Sequence, residues 1–412
     1  MSKIKRNSSN RNSHCHTMDR DSMIELYFRL GMKYKDILKS LALEGFIISE
    51  RHLHRLLRAR SLHRRRYDLD AGIDFIVDQL QGSGKDHGYR WMYTKCIQHG
   101  IRIRKEDVRI LLSLLDPVII YSLWLDPVAS QLRRTRRLSR RQYFAQGPNF
   151  VWHIDSYDKL KPYGICLNGC IDGFSRKVMW LRAARTNSDP KVIGGYFVET
   201  LERCGGCPRL VRTDMGTENV VVRDIQRYLR RDDVDDRAAE RSYVTGASTA
   251  NQRIESWWGV MRKQGIEPWI TAVGELKDEG FFSGDFVDKA LSQFCFMSII
   301  QELLNDIQGV WNAHRIRPSK NPNVPSGIPD VMYMAPHLWG AENCLVPLTE
   351  DLTACKHSCT FLSSVPCDVD LFDLCTIIME ESSLEFPSTM SDAVDLYIQL
   401  RDTVRPQLFG PI

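Results

Sequence analysis

Phe150-Val151-Trp152-His153-Ile154-Asp155 is an apolar run that closes on a carboxylate, and it follows the break Gly147-Pro148. Such a run reads as a buried strand that delivers one acidic side chain at its end. A second run, Leu210-Val211-Arg212-Thr213, closes on Asp214 and is soon followed by Gly216, a turn signal. A third carboxylate, Glu255, lies within Asn251 to Lys263, a stretch that reads as a helix. Two carboxylates at strand ends plus one on a helix can converge on a pair of divalent cations. Phosphoryl transfer on a nucleic-acid backbone needs such a cluster, because the metals activate the attacking oxygen and stabilise the leaving one.

The sequence between these points supports an α/β domain. Cys166 to Asp172 and Lys177 to Ala184 are strand-like and are joined by Gly173-Phe174-Ser175-Arg176, which predicts a hairpin. Pro190 to Cys204 reads as a helix with Val192, Ile193, Tyr196, Phe197 and Leu201 on one face, and Gly205-Gly206 stops it. Strands followed by alternating helix and strand make a layered domain. Each carboxylate has a rival reading. Asp155 could simply end a strand, Asp158 or Asp172 could be the ligand instead, Glu218 rivals Asp214, and Glu255 could be a solvated helix residue. Asp172 sits where Gly173 and Ser175 call for an Asx-type turn, so it reads as structural.

Four motifs in order carry a resemblance. They are Trp152-His153-Ile154-Asp155, then Ile171-Asp172-Gly173-Phe174-Ser175-Arg176, then Arg212-Thr213-Asp214-Met215-Gly216-Thr217-Glu218-Asn219, and finally Asn251-Gln252-Arg253-Ile254-Glu255. Residues 150 to 270 resemble the integrase catalytic core shared by retroviral integrases, retrotransposon integrases and related transposases. The wording is closest to the transposon-derived integrase-core proteins of animal genomes. The resemblance implies an RNase H-like fold, a mixed five-stranded sheet flanked by helices. It implies a polynucleotidyl transferase that cleaves and joins DNA strands, with Asp155, Asp214 and Glu255 binding two Mg²⁺ or Mn²⁺ ions. DNA is then the partner, with a homo-oligomer assembled on it. Arg262 follows Glu255 by two helical turns, which places a cation where the phosphate of a bound strand would lie. Trp257 and Trp258 read as core packing. The charged stretch from Arg230 to Arg237 reads as a flexible loop ahead of the catalytic helix.

Outward from this core the chain is basic in blocks. Its 412 residues are 43% hydrophobic and 26% charged, enough for two or three domains, and its formal net charge is +5. Arg51, Arg55 and Arg58 fall in one arginine-rich stretch, and Arg133, Arg134, Arg136 and Arg137 in another. Both are candidate phosphate contacts, with a solvated surface or a nuclear-import signal as the plain alternative. Twelve cysteines without a secretory signal read as reduced thiols of the cytosol or nucleus, and the expected location is nuclear. No apolar stretch approaches a membrane span. His14-Cys15-His16, Cys204-Gly205-Gly206-Cys207 and the group Cys355, Cys359, Cys367 and Cys375 lack zinc-site spacing.

The expected organisation is a basic tail (1–20), a helix-turn-helix-like segment (21–68) and a second helical segment (69–129). A basic linker (130–149), the catalytic core with its C-terminal helices (150–333) and an extension of no evident chemistry (334–412) complete it. In the second of these, Ser22 and Ser49 are the expected helix caps. Two other functions compete with strand transfer. One is a host-retained, transposon-derived DNA-binding protein whose core no longer acts. The other is an RNase H-like nuclease acting on RNA–DNA hybrids.

Overall fold

The computed structural model describes residues 18–64, 67–81, 84, 87–115, 145–246, 251–318, 324–348, 352–361, 363 and 365–409. The chain divides into two compact units, up to Arg66 and from Tyr67 onward. The first holds α1 (Arg20–Arg29), α2 (Tyr34–Leu43) and α3 (Glu50–Ala59). Asp19, not Ser22, caps α1, because its carboxylate accepts from the backbone N–H groups of both Asp21 and Ser22. Ser49 caps α3 through the N–H of His52. Leu53 and Leu57 are buried on the inner face of α3, while Arg51, Arg55 and Arg58 are exposed on the outer one. Arg60 and Arg64 differ from those three. Arg60 pairs with Asp21 at 2.6 Å, and Arg64 stacks over the rings of Phe28 and Tyr34.

The second unit begins with α4 (Leu69–Gln81), α5 (Tyr89–Gln98) and α6 (Lys105–Leu115), packed around Ile76, Met92, Cys96 and Val108. A sheet follows, with β1 (Val151–Tyr157), β2 (Cys166–Asp172) and β3 (Val178–Ala184). Next come α7 (Pro190–Cys204), the two-residue β4 (Gly206–Cys207), β5 (Leu210–Thr213), α8 (Val220–Leu229) and β6 (Tyr243–Thr245). The five-stranded sheet has the order β3-β2-β1-β5-β6. Pairing is antiparallel for β1 with β2 and β2 with β3, and parallel for β1 with β5 and β5 with β6. This mixed sheet with helices on both faces is the RNase H-like arrangement.

Side-chain alternation along the strands makes two cores from one sheet. Trp152, Ile154, Cys170 and Trp180 face α7 and α8, where they meet Ile193, Phe197, Val222 and Ile225. Tyr157, Leu167, Ile171 and Leu181 face the other way, toward α9 (Gln252–Met261), α10 (Glu267–Asp278) and α11 (Phe286–Ala313). The hairpin between β2 and β3 is held by Asp172, fully buried, which accepts from the N–H and hydroxyl of Ser175 and from the N–H of Asn149. Its part is structural, as the turn chemistry requires.

Residues beyond 333 are built into the same unit. After α12 (Pro329–Met334), β7 (Val346–Pro347) pairs with β4, and α13 (Thr353–His357) packs by α7. The last helices, α14 (Val369–Glu381) and α15 (Met390–Phe409), cover α11 through Leu371, Cys375, Leu396, Tyr397 and Leu400. Arg401 and Arg405 of α15 both reach the buried carboxylate of Asp288 at the start of α11. Cys355 joins one core while Cys367 and Cys375 join the other, so these thiols do not gather at one place. Among the described residues no helix is long and apolar enough to cross a membrane.

Candidate active site

Asp155 is the fifth residue of β1 and points to the α9 side of the sheet. It lies opposite Gly169 of β2, a position where an added Cβ would come within 2.9 Å of the Trp258 indole. That missing side chain lets the indole lie over the strand. Trp258 then donates its Nε1–H to Asp155 Oδ2 at 2.8 Å. Asn251, just before α9, fixes the helix to the strand from its other end. Its Nδ2 donates to the Ile154 carbonyl at 2.9 Å, and its Oδ1 meets His153 Nδ1 at 2.7 Å. Burial pushes the His153 imidazole down to about 3, so it is a neutral partner for Asn251.

Asp214 stands one residue past β5. The β1–β5 register pairs His153 with Arg212, and continuing it two residues sets Asp214 level with Asp155. Buried Asn219 donates to Asp214 Oδ1 at 3.2 Å and to Glu218 Oε1 at 3.0 Å. The end of β5 is further anchored by the 2.7 Å contact of Thr213 Oγ1 with the Tyr243 hydroxyl. Glu255 occupies the first turn of α9, exposed, and one helical turn before Trp258. Helical spacing therefore sets Glu255 on the face that carries the indole to Asp155.

The electrostatics tie the three carboxylates together. Burial raises the Asp155 carboxyl to about 7; the Trp258 hydrogen bond opposes the rise, and the charges of Glu255 and Asp214 add to it. Burial and the charge of Asp214 raise Glu255 as well. Mutual repulsion in a partly desolvated place is what a bound cation relieves. The donors are all oxygen, the chemistry that suits Mg²⁺ or Mn²⁺. Among the described residues, no three His, Cys, Asp or Glu side chains are drawn close enough to hold a metal ion as they stand. The donor set fits a hard divalent cation, and gripping one requires the side chains to close in.

The arginines divide. Arg262 lies where α9 gives way to a wider turn, Arg262–Ile266, and its guanidinium is engaged by both carboxylate oxygens of Glu267, at 2.8 Å for the second. The backbone stays helical through Arg262 and bends only at Gly265, so Arg262 keeps its two-turn spacing from Glu255 while its guanidinium is engaged by Glu267. Arg51, Arg55 and Arg58 belong to the first unit. Arg133, Arg134, Arg136 and Arg137 lie outside the described residues. Sequence reasoning missed the polar roles of Trp258, Asn251 and Asn219. The spacing of Trp258 three residues after Glu255 was the available signal for one of them. The stretch from Arg230 to Arg237, expected to be flexible, is clamped. Arg230 is fully buried and pairs with Asp233 and Asp235, and Arg209 pairs with Asp235 and Asp236.

No curated protein matches the chain. A family model does: residues 142–333 match the integrase core domain. Members of that family are typically polynucleotidyl transferases that act on DNA with divalent metals. The match spans β1 through α12, and so includes the two strand ends and the helix that carry Asp155, Asp214 and Glu255. Residues 142–333 of this chain thus match an integrase core domain, which supports placing that part of it in the integrase catalytic-core superfamily.

Proposed function

We propose that this protein cleaves DNA strands and transfers them in a metal-dependent reaction, with Asp155, Asp214 and Glu255 as its catalytic carboxylates. The observation that carries this reading is geometric: the β1–β5 register sets Asp214 level with Asp155, and the Trp258 hydrogen bond to Asp155 brings the face of α9 that carries Glu255 to the same strand end. They would hold two Mg²⁺ or Mn²⁺ ions. When bound, the ions supply positive charge at the attacking and departing oxygens of an in-line displacement on a phosphodiester. Trp258 orients Asp155 by its hydrogen bond, and Asn219 steadies Asp214. Asn251 keeps α9, and so Glu255, in register with β1. The exposed Arg51, Arg55 and Arg58, with the basic linker that includes Arg133, Arg134, Arg136 and Arg137, would grip DNA through its phosphates. The same reading places a homo-oligomer on the DNA, in the nucleus.

A second reading is a transposon-derived DNA-binding protein without catalysis. The arginines exposed on α3, Arg51, Arg55 and Arg58, would serve binding alone and favour it. Nicking of labelled duplex DNA by the full chain in Mn²⁺ decides between them. The enzyme reading expects nicking that is lost in Asp214→Asn. Selective binding without cleavage supports the second reading, and cleavage confined to RNA–DNA hybrids overturns both.

A further inference from the structure

The C-terminal end of α11, the segment after it and the starts of α5 and α6 frame an open cleft of about 510 Å³, with Lys105, Arg315 and Arg317 exposed at it. Arg90, Lys105, Arg315 and Arg317 line it, together with Tyr93 and His314. Among the described residues no carboxylate pairs with any of these four cations. Arg90 lies over the Tyr89 ring at 5.2 Å, and Lys105 over Tyr89 and Tyr93 at 5.9 and 5.7 Å. His314 Nδ1 is buried without a hydrogen-bond partner. Burial, with Lys105 and Arg90 adding, holds that imidazole below its usual value, so it adds no charge of its own.

Helix ends reinforce the field. Lys105 opens α6, and Arg90 is the second residue of α5, whose start has no side-chain cap. Each such end contributes roughly half a positive charge, and the end of α11 removes about the same amount once. Four full charges therefore remain in a concave site, and their repulsion is relieved by an anion.

The cleft is distinct from the carboxylate site. Trp311 donates to the Arg176 carbonyl and Asn312 bonds the Val178 backbone, so α11 ends at the β2–β3 hairpin. Trp152 faces Asp172 across β1 and β2, so that hairpin lies where β1 begins. Asp155 lies toward the opposite end of the strand. A group held in the cleft is therefore not the phosphate that reacts.

We infer that this cleft binds a phosphodiester of a DNA backbone, remote from the reacting phosphate. The identity of the polyanion rests on the proposed function; the anion site does not. The test measures binding of a fluorescent duplex to the full chain in EDTA across a range of salt. In Arg315→Gln/Arg317→Gln the affinity should fall about tenfold, and the slope of log affinity against log salt should become shallower by about two. Arg315→Lys/Arg317→Lys keeps the charge and should keep the slope. Lys105→Gln, an exposed position, gives an independent reading, with the slope shallower by about one. Unchanged affinity and slope in a folded Gln pair and in Lys105→Gln overturn the inference. So does a deficit seen only with RNA. A wild type that binds duplex but never nicks it sinks the catalytic proposal while leaving this one standing.

Discussion

Replacing Asp155 by Asn should make the protein more stable at pH 8, although it removes a proposed catalytic group. Asp155 is 9% exposed, and its carboxyl is raised from the ordinary 3.8 to about 7. At roughly 1.4 kcal/mol per pH unit, that interval corresponds to about 4 kcal/mol of penalty for the buried charge. The sign follows from proton binding. Below pH 3.8 the folded and unfolded chains both carry the proton, and there is no charge penalty. As pH rises the unfolded chain releases its proton first, so stability falls until the folded carboxyl ionises near 7, and the full penalty stands above that. Asn keeps an oxygen to accept from Trp258 and carries no charge. Allowing for relaxation around the site, we expect a gain of about 2 to 4 kcal/mol at pH 8. For a unit this large, roughly 2 °C in Tm per kcal/mol follows. At pH 5 the gain should shrink to about 1.5 kcal/mol or less, because the folded wild type already holds the proton. Millimolar Mn²⁺ should stabilise the wild type and not the Asn variant. Urea and thermal unfolding at the two pH values provide the assay. A loss of stability at pH 8, or a gain of equal size at pH 5, would mean that the buried Asp155 charge carries no such penalty.

Two further perturbations address the surroundings of Asp155. Trp258→Phe keeps most of the ring and deletes the hydrogen bond that holds the carboxylate down, so Asp155 should ionise at higher pH still. The acidic limb of the nicking profile should move upward, with activity recovered at pH 9; a uniform loss at every pH would mark the indole as mere packing. Gly169→Ala sets a methyl 2.9 Å from the Trp258 ring, and overpacking of this kind typically costs about 1–3 kcal/mol. Combining it with Trp258→Phe should recover part of that loss, and simple additivity in urea melts would count against a shared contact.

Much of this architecture was legible because local chemistry dictated it. The run ending at Asp155 is apolar on both faces, as a strand buried between two helical layers must be. Pro190 and Gly205 bracket α7, and Asp172 with Ser175 spells a turn. Part of what stayed hidden depends on partners distant in sequence. Trp258 and Asp155 are 103 residues apart, and nothing local separates an indole that donates to a carboxylate from one that only packs. The Arg230 segment looks solvated by composition, yet its folded neighbours bury the guanidinium and recruit Asp233 and Asp235. At the start of α1 the choice between Asp19 and Ser22 turned on backbone geometry that composition does not encode. The C-terminal helices bury Leu371, Cys375, Leu396, Tyr397 and Leu400 against α11, a partner that their own sequence does not reveal.

Crystals of the full chain soaked in Mn²⁺ would show whether the three carboxylates share a metal. Anomalous density is expected between the carboxylates of Asp155, Asp214 and Glu255, with their oxygens drawn in to about 2.0–2.3 Å of the metal. Density that avoids these residues, or a site that binds through one of them while the other two remain apart, would contradict a shared site.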